Sequence, residues 1–179
     1  MKEKILNSDN IAIEIEGYLE KIKEIPLTIH SENFTEFYRI LKRNQFESGP
    51  YPKVSLFEGI NRIMSDLVIL YGIKTLLDVN SVTKHNLPFA EYTVQFGVTS
   101  KKPFDITSKL GNRSLAGEAF NVAPSFFTGK KSRELKKFKE STEKYSDYLL
   151  IYNSEATDST STFELIDGVL HLRVKLPDL

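Results

Sequence analysis

The sequence predicts an α/β fold: a mixed central sheet of about five strands flanked by helices, with two further helices leading into it. Three observations carry that prediction. Apolar residues recur at helical spacing through the first 77 positions, and from Tyr92 the pattern changes to short β-branched and aromatic runs punctuated by turn residues. A highly charged helical stretch then leads into the apolar run Tyr148–Tyr152, the composition of a strand buried on both faces.

The first helix is expected over 11–25. Ile11, Ile15, Tyr18, Leu19 and Ile22 lie on one face, Ser8-Asp9-Asn10 precedes them, and Pro26 follows. A second covers 33–43, with Phe34, Phe37, Tyr38 and Leu41 on one side. The segment 47–52 (Glu-Ser-Gly-Pro-Tyr-Pro) reads as a loop. Ser55 and Glu58 have the spacing of a capping box, and the helix they open carries Ile60, Ile63, Met64, Leu67, Val68 and Tyr71 on one stripe, to Gly72 or as far as Leu77. A polar stretch, 81–86, separates it from the strands.

Strands are expected over 92–98, 104–107 and 115–123, with turn-like residues between them that allow hairpins. Pro124 ends the third, and a helix over 130–145 follows, apolar only at Leu135, Phe138 and Tyr145. Ser154–Thr162 is a polar acidic loop, and Phe163–Leu176 is a hairpin turning at Asp167-Gly168. A strand, a helix and a strand near the end imply a parallel crossover beside that hairpin, hence a mixed sheet. All of this fits one domain of 179 residues: leading helices over 1–50, a core over about 55–153, and a terminal hairpin over 163–176.

Composition narrows the chemistry. The chain has no cysteine, which excludes disulfides and thiolate zinc sites, and its three histidines (His30, His85, His171) lack metal-ligand spacing. The opening residues lack a secretory apolar core, and the most apolar stretch, 66–77, is interrupted by Asp66, Gly72 and Lys74 and is too short for a bilayer. No membrane partner is expected, and the expected location is cytoplasmic. Net charge is zero, but Lys101 to Lys144 holds eleven Lys and Arg against five Asp and Glu. A surplus of six positive charges on about one quarter of the chain suits phosphate binding, although lysine runs also serve as solvated helix faces.

Two acids stand out within that stretch. Asp105 follows Pro103-Phe104 on the expected second strand, and Glu118 lies in the small, apolar third strand. Paired as a hairpin, the two strands bring both carboxylates to one face. Such proximity is unfavourable unless a cation lies between them, and Mg²⁺ is the hard cation that one or two carboxylates hold together with waters and a phosphate.

The order helix, strand, strand with acid, strand with acid, helix, strand, over about 55–153, resembles the αβββαβ core of the PD-(D/E)xK nuclease superfamily, which includes many type II restriction endonucleases. In that family a proline-associated aspartate on the second core strand and Glu-x-Lys on the third bind the metal and position the attacking water. Asp105 and Glu118 match these positions, and Phe120 stands where the lysine belongs. The resemblance implies a Mg²⁺-dependent deoxyribonuclease with Asp105 and Glu118 as metal ligands and Glu58 as a third acid from the first core helix. Lys130, Lys131 or Lys109 would stand in for the motif lysine.

Lys130, Lys131 and Arg133, just past a helix start, are the first candidates for phosphate contacts, and Lys84, His85 and Asn86 for a loop touching DNA. The expected partners are double-stranded DNA and a second copy of the chain, because cutting both strands of a two-fold site favours a homodimer. The absent motif lysine equally suits a nuclease-fold DNA-binding or assembly protein without catalysis. A third reading is an α/β interaction domain whose acids are incidental.

Overall fold

The computed structural model describes residues 3–78, 85–97 and 103–177. Among these residues seven strands form one mixed sheet with four helices around it. In chain order the elements are β1 (Glu3–Asn7), α1 (Ile11–Lys23), α2 (Phe34–Arg43), α3 (Leu56–Leu77), β2 (Glu91–Gln95), β3 (Ile106–Leu110) and β4 (Arg113–Phe120). Then come α4 (Pro124–Glu140), β5 (Asp147–Asn153), β6 (Phe163–Ile166) and β7 (Val169–Val174). The spatial order is β1-β2-β3-β4-β5-β7-β6. β4, β5 and β7 run parallel to one another, and the other neighbours are antiparallel. The α/β class and the mixed sheet thus agree with the sequence, while the strand number is seven rather than about five.

The extra strands lie at the sheet's edges. β1 (Glu-Lys-Ile-Leu-Asn), where the sequence predicts no element, pairs along its whole length with β2. β6 and β7 form the hairpin expected from Asp167-Gly168, both of which adopt positive φ (51° and 78°), as the tight two-residue turn requires. Two boundaries differ from expectation. The third core strand ends at Phe120, and α4 starts at Pro124, a residue pre-set for the first helical position, rather than at Lys130. The second core strand starts at Ile106, because Phe104 turns away to pack on Phe138 and Tyr145.

α3 is buried on most of its circumference. One side lies on the sheet, where Val68, Ile69, Ile73 and Leu76 join Leu115, Ala119, Leu149, Ile151 and Leu172. The other receives α1 and α2, with Phe46, Tyr51, Leu56, Ile63 and Leu67 between them. Gly72 lets the helix approach β5: a Cβ there would lie 2.7 Å from the Ile151 side chain. The opposite face of the sheet is covered by α4, over a cluster of Phe104, Ala116, Phe120, Phe138, Leu150 and Tyr152. β4 therefore alternates: Leu115 and Ala119 point toward α3, Ala116 and Phe120 toward α4. Ile60, expected on the buried stripe of α3, is exposed, as are Phe34 and Tyr38 of α2.

Candidate active site

The β3–β4 register pairs Ile106 with Gly117. Continued by one residue, it sets Asp105 directly opposite Glu118, on the α4 face of the sheet. Asp105 immediately precedes β3, held there by its own carbonyl, which accepts the Gln95 N–H at 2.8 Å. Its Oδ2 accepts the Ala119 N–H at 3.2 Å, and its carboxyl shares a hydrogen bond with that of Glu118. The two acids picked from the sequence are thus brought together in one place.

Glu118 is only 3 % exposed. Burial raises both carboxyls above their usual range, and the neighbouring Asp105 charge adds to this for Glu118, which is pushed up to about 9. Two carboxyls held this close resist carrying charge together. The balancing cation is Lys137 of α4, whose Nζ bonds Glu118 Oε1. A lysine of the helix that covers the strand thus lies beside the acid pair, and it is none of the three lysines expected from the sequence. Lys130 lines the same pocket, with its Nζ 5.6 Å from the centre of the Phe120 ring and 2.5 Å from Glu134. Lys131 points elsewhere, over Phe127 at 5.9 Å, and Lys109 is exposed four residues along β3 from Asp105.

The pocket around the pair has a volume of about 440 Å³. Its second wall is the side of α3 that carries Glu58, Asn61, Arg62, Ser65 and Asp66. Ser55 caps the helix, its Oγ accepting the Glu58 N–H at 3.3 Å, but the Glu58 carboxylate, expected to complete a capping box, is tied to Arg62 at 2.5 Å. Among the described residues no three His, Cys, Asp or Glu side chains converge closely enough to form a metal cluster, so Glu58 is not gathered to Asp105 and Glu118.

Asp66 is the acid of α3 that sequence reasoning passed over as an interruption of an apolar run. It is 1 % exposed and accepts hydrogen bonds from Tyr18 at 2.6 Å, from Tyr51, and from the backbone of Gly97. Burial still lifts its carboxyl to about 6. An acid in the middle of an otherwise apolar helix, with two distant tyrosines to satisfy it, was the signal in the sequence.

The loop candidates lie apart from this site. Lys84 falls outside the described residues. His85 is buried: its Nδ1 accepts the Leu87 N–H at 3.0 Å, which leaves Nε2 to donate to the Leu76 carbonyl at 3.3 Å. Its ring packs on Phe163 and burial lowers its pKa, so it is a neutral structural residue rather than a surface contact. His85 and Asn86 line a separate pocket with Arg113 and Asp147, at the opposite end of β4 from Glu118. Arg133 is exposed on α4. No helix among the described residues is long and apolar enough to cross a membrane. No family model matches this chain, and neither a curated protein nor a solved structure shows significant similarity to it.

Proposed function

We propose that the protein is a Mg²⁺-dependent nuclease that hydrolyses phosphodiester bonds of DNA. The observation that carries the reading is the triad of Asp105, Glu118 and Lys137: two carboxyls set opposite each other by strand register, and a lysine aimed at them from α4. The order α3-β2-β3-β4-α4-β5 supports the same reading, because it is the order of the nuclease core that the sequence resembles.

Asp105 and Glu118 suit a hard divalent cation. They offer only oxygen ligands, burial and mutual proximity raise both carboxyls, which a bound cation would offset, and a pair of carboxylates is the protein share that Mg²⁺ commonly takes. When bound, Mg²⁺ supplies an acidified water and offsets charge on the phosphate. The protein's own groups do the rest. Asp105, pinned by the Ala119 N–H, keeps the geometry fixed. Lys137, which bonds Glu118, would orient the attacking water and offset negative charge on the scissile phosphate. Lys130 provides a second cation on the same wall. Duplex DNA and a two-fold pair of chains follow from the restriction-type version of this reading.

Incubation of the purified chain with supercoiled plasmid tests it. Nicked or linear product should form with Mg²⁺, none with chelator, and none with Asp105→Asn. Buried Phe120, standing at the strand's motif position, favours a non-catalytic DNA-binding protein as the second reading. That reading prevails if single-stranded and duplex DNA both survive Mg²⁺ while the chain binds them.

A further inference from the structure

On α2 no residue is buried, although the helix is strongly two-sided. Phe34 and Tyr38 are 77 % and 52 % exposed, and their rings stack with centroids 6.4 Å apart and planes 26° from parallel. Lys42, one turn on, stands 5.7 Å from the centre of the Tyr38 ring and 4.0 Å from that of Phe57, an exposed residue in the first turn of α3. Rings and cation thus form one ledge across two helices. It is continuous with the candidate site, because Phe57 and Ile60 adjoin Glu58, Asn61 and Arg62, which line the pocket. Successive helix positions are about 100° apart, which puts Phe57 roughly 40° around α3 from Asn61.

We infer that this ledge binds the unpaired bases of a DNA strand whose backbone enters the pocket, so that the substrate has single-stranded nucleotides next to the cut. The inference rests on the nuclease reading and adds the substrate class to it. Exposed aromatic rings offer faces to any base, and the interleaved cation answers the phosphates between them. α2 carries Arg39, Lys42 and Arg43 against Glu36 alone, and Glu36 is engaged by the Glu32 N–H. The cation surplus of the helix stands beside the rings, and a nucleic-acid strand brings an anion at every nucleotide together with a base to stack.

The test uses the full chain in chelator, with fluorescence anisotropy of a labelled oligothymidylate and of a blunt duplex. Phe34→Ala combined with Tyr38→Ala should weaken oligothymidylate binding by about tenfold per ring and leave the blunt duplex within about twofold. Tyr38→Phe keeps the stacking face and should bind as the parent does. The variants remove exposed rings, and a thermal melt matching the parent's confirms that the fold is intact. Unchanged oligothymidylate affinity overturns the proposal, as does an equal loss on both probes. So does a change of oligomeric mass in the variants with oligothymidylate affinity retained, which would make the ledge a protein interface. Plasmid cleavage with Mg²⁺ reads the site independently. Cleavage without ring-dependent binding sinks only the ledge, and ring-dependent binding without cleavage sinks only the nuclease reading.

Discussion

Replacing Glu118 by glutamine should stabilise the metal-free protein at alkaline pH. Glutamine copies the size and neutral charge of the protonated carboxyl. In the folded chain that carboxyl is pushed up from 4.5 to about 9, by burial first and by Asp105 second. A carboxyl whose pKa is raised by folding favours the folded state at low pH, and this contribution is lost progressively as pH climbs from the unfolded value to the folded one. At about 1.4 kcal/mol per unit, the loss for Glu118 reaches roughly 5 kcal/mol by pH 8. Glutamine escapes it and keeps an oxygen that can accept from Lys137, whose opposing pull the folded value of about 9 already contains. Allowing for water in the pocket, a net gain of about 2–3 kcal/mol remains, or about 5–10 °C in Tm for a chain of this size. Thermal unfolding followed by circular dichroism, in chelator at pH 5 and pH 8, reads the difference. Glu118→Gln should melt well above the parent at pH 8 and close to it at pH 5. A variant that melts below the parent at pH 8 would refute the reasoning, since Glu118 would then be held as a stabilising anion.

Lys137→Met should lower Mg²⁺-dependent plasmid cleavage by at least about a hundredfold, while Lys131→Met leaves it within a few-fold, because among the described residues Lys137 bonds the acid pair and Lys131 lies over Phe127 instead. Charge reversal at Lys131 and Arg133 should weaken duplex binding. In a titration of ionic strength, the slope of log affinity against log salt should flatten by about 0.9 for every phosphate deprived of its cation. Gly72→Ala should cost about 1–2 kcal/mol in denaturant unfolding: the clash with Ile151 outweighs the better helix propensity of alanine.

The sequence made the fold class legible because β-branched runs, turn residues and capping residues act over short distances. Asp105 and Glu118 were legible for the same reason: two short strands joined by a turn leave little choice of register, and here Leu110 pairs with Arg113 around Gly111 at φ 57°. Lys137 was not. Between Lys130 and Lys139 six of ten residues are cationic, so no periodic contrast says which one faces inward. That depends on the helix beginning at Pro124 and on Phe138 fixing its rotation against Phe104 and Tyr148. His85 illustrates the converse. A polar sequence context suggests exposure, but a carbonyl at the end of α3 and an amide two residues on satisfy both ring nitrogens in the interior. Phe34 and Tyr38 fell the other way: helical spacing of aromatics suggests a core face, and only tertiary packing reveals that nothing among the described residues covers them.

β1 has a consequence for the order of assembly. Its hydrogen-bonding partner is β2, some 85 residues further along the chain. At synthesis rates of about 5–20 residues per second, β1 leaves the ribosome roughly 4–17 s before that partner exists. During that interval Ile5 and Leu6 have no strand beside them, and the edge that β1 will eventually cover cannot form. Closing this long loop must therefore be among the late steps of folding, after α3 and the β3–β4 hairpin have built the platform. The carboxyl pair belongs to the local part of the sheet, and β1, made before the other six strands, is among the last of them to find its partner.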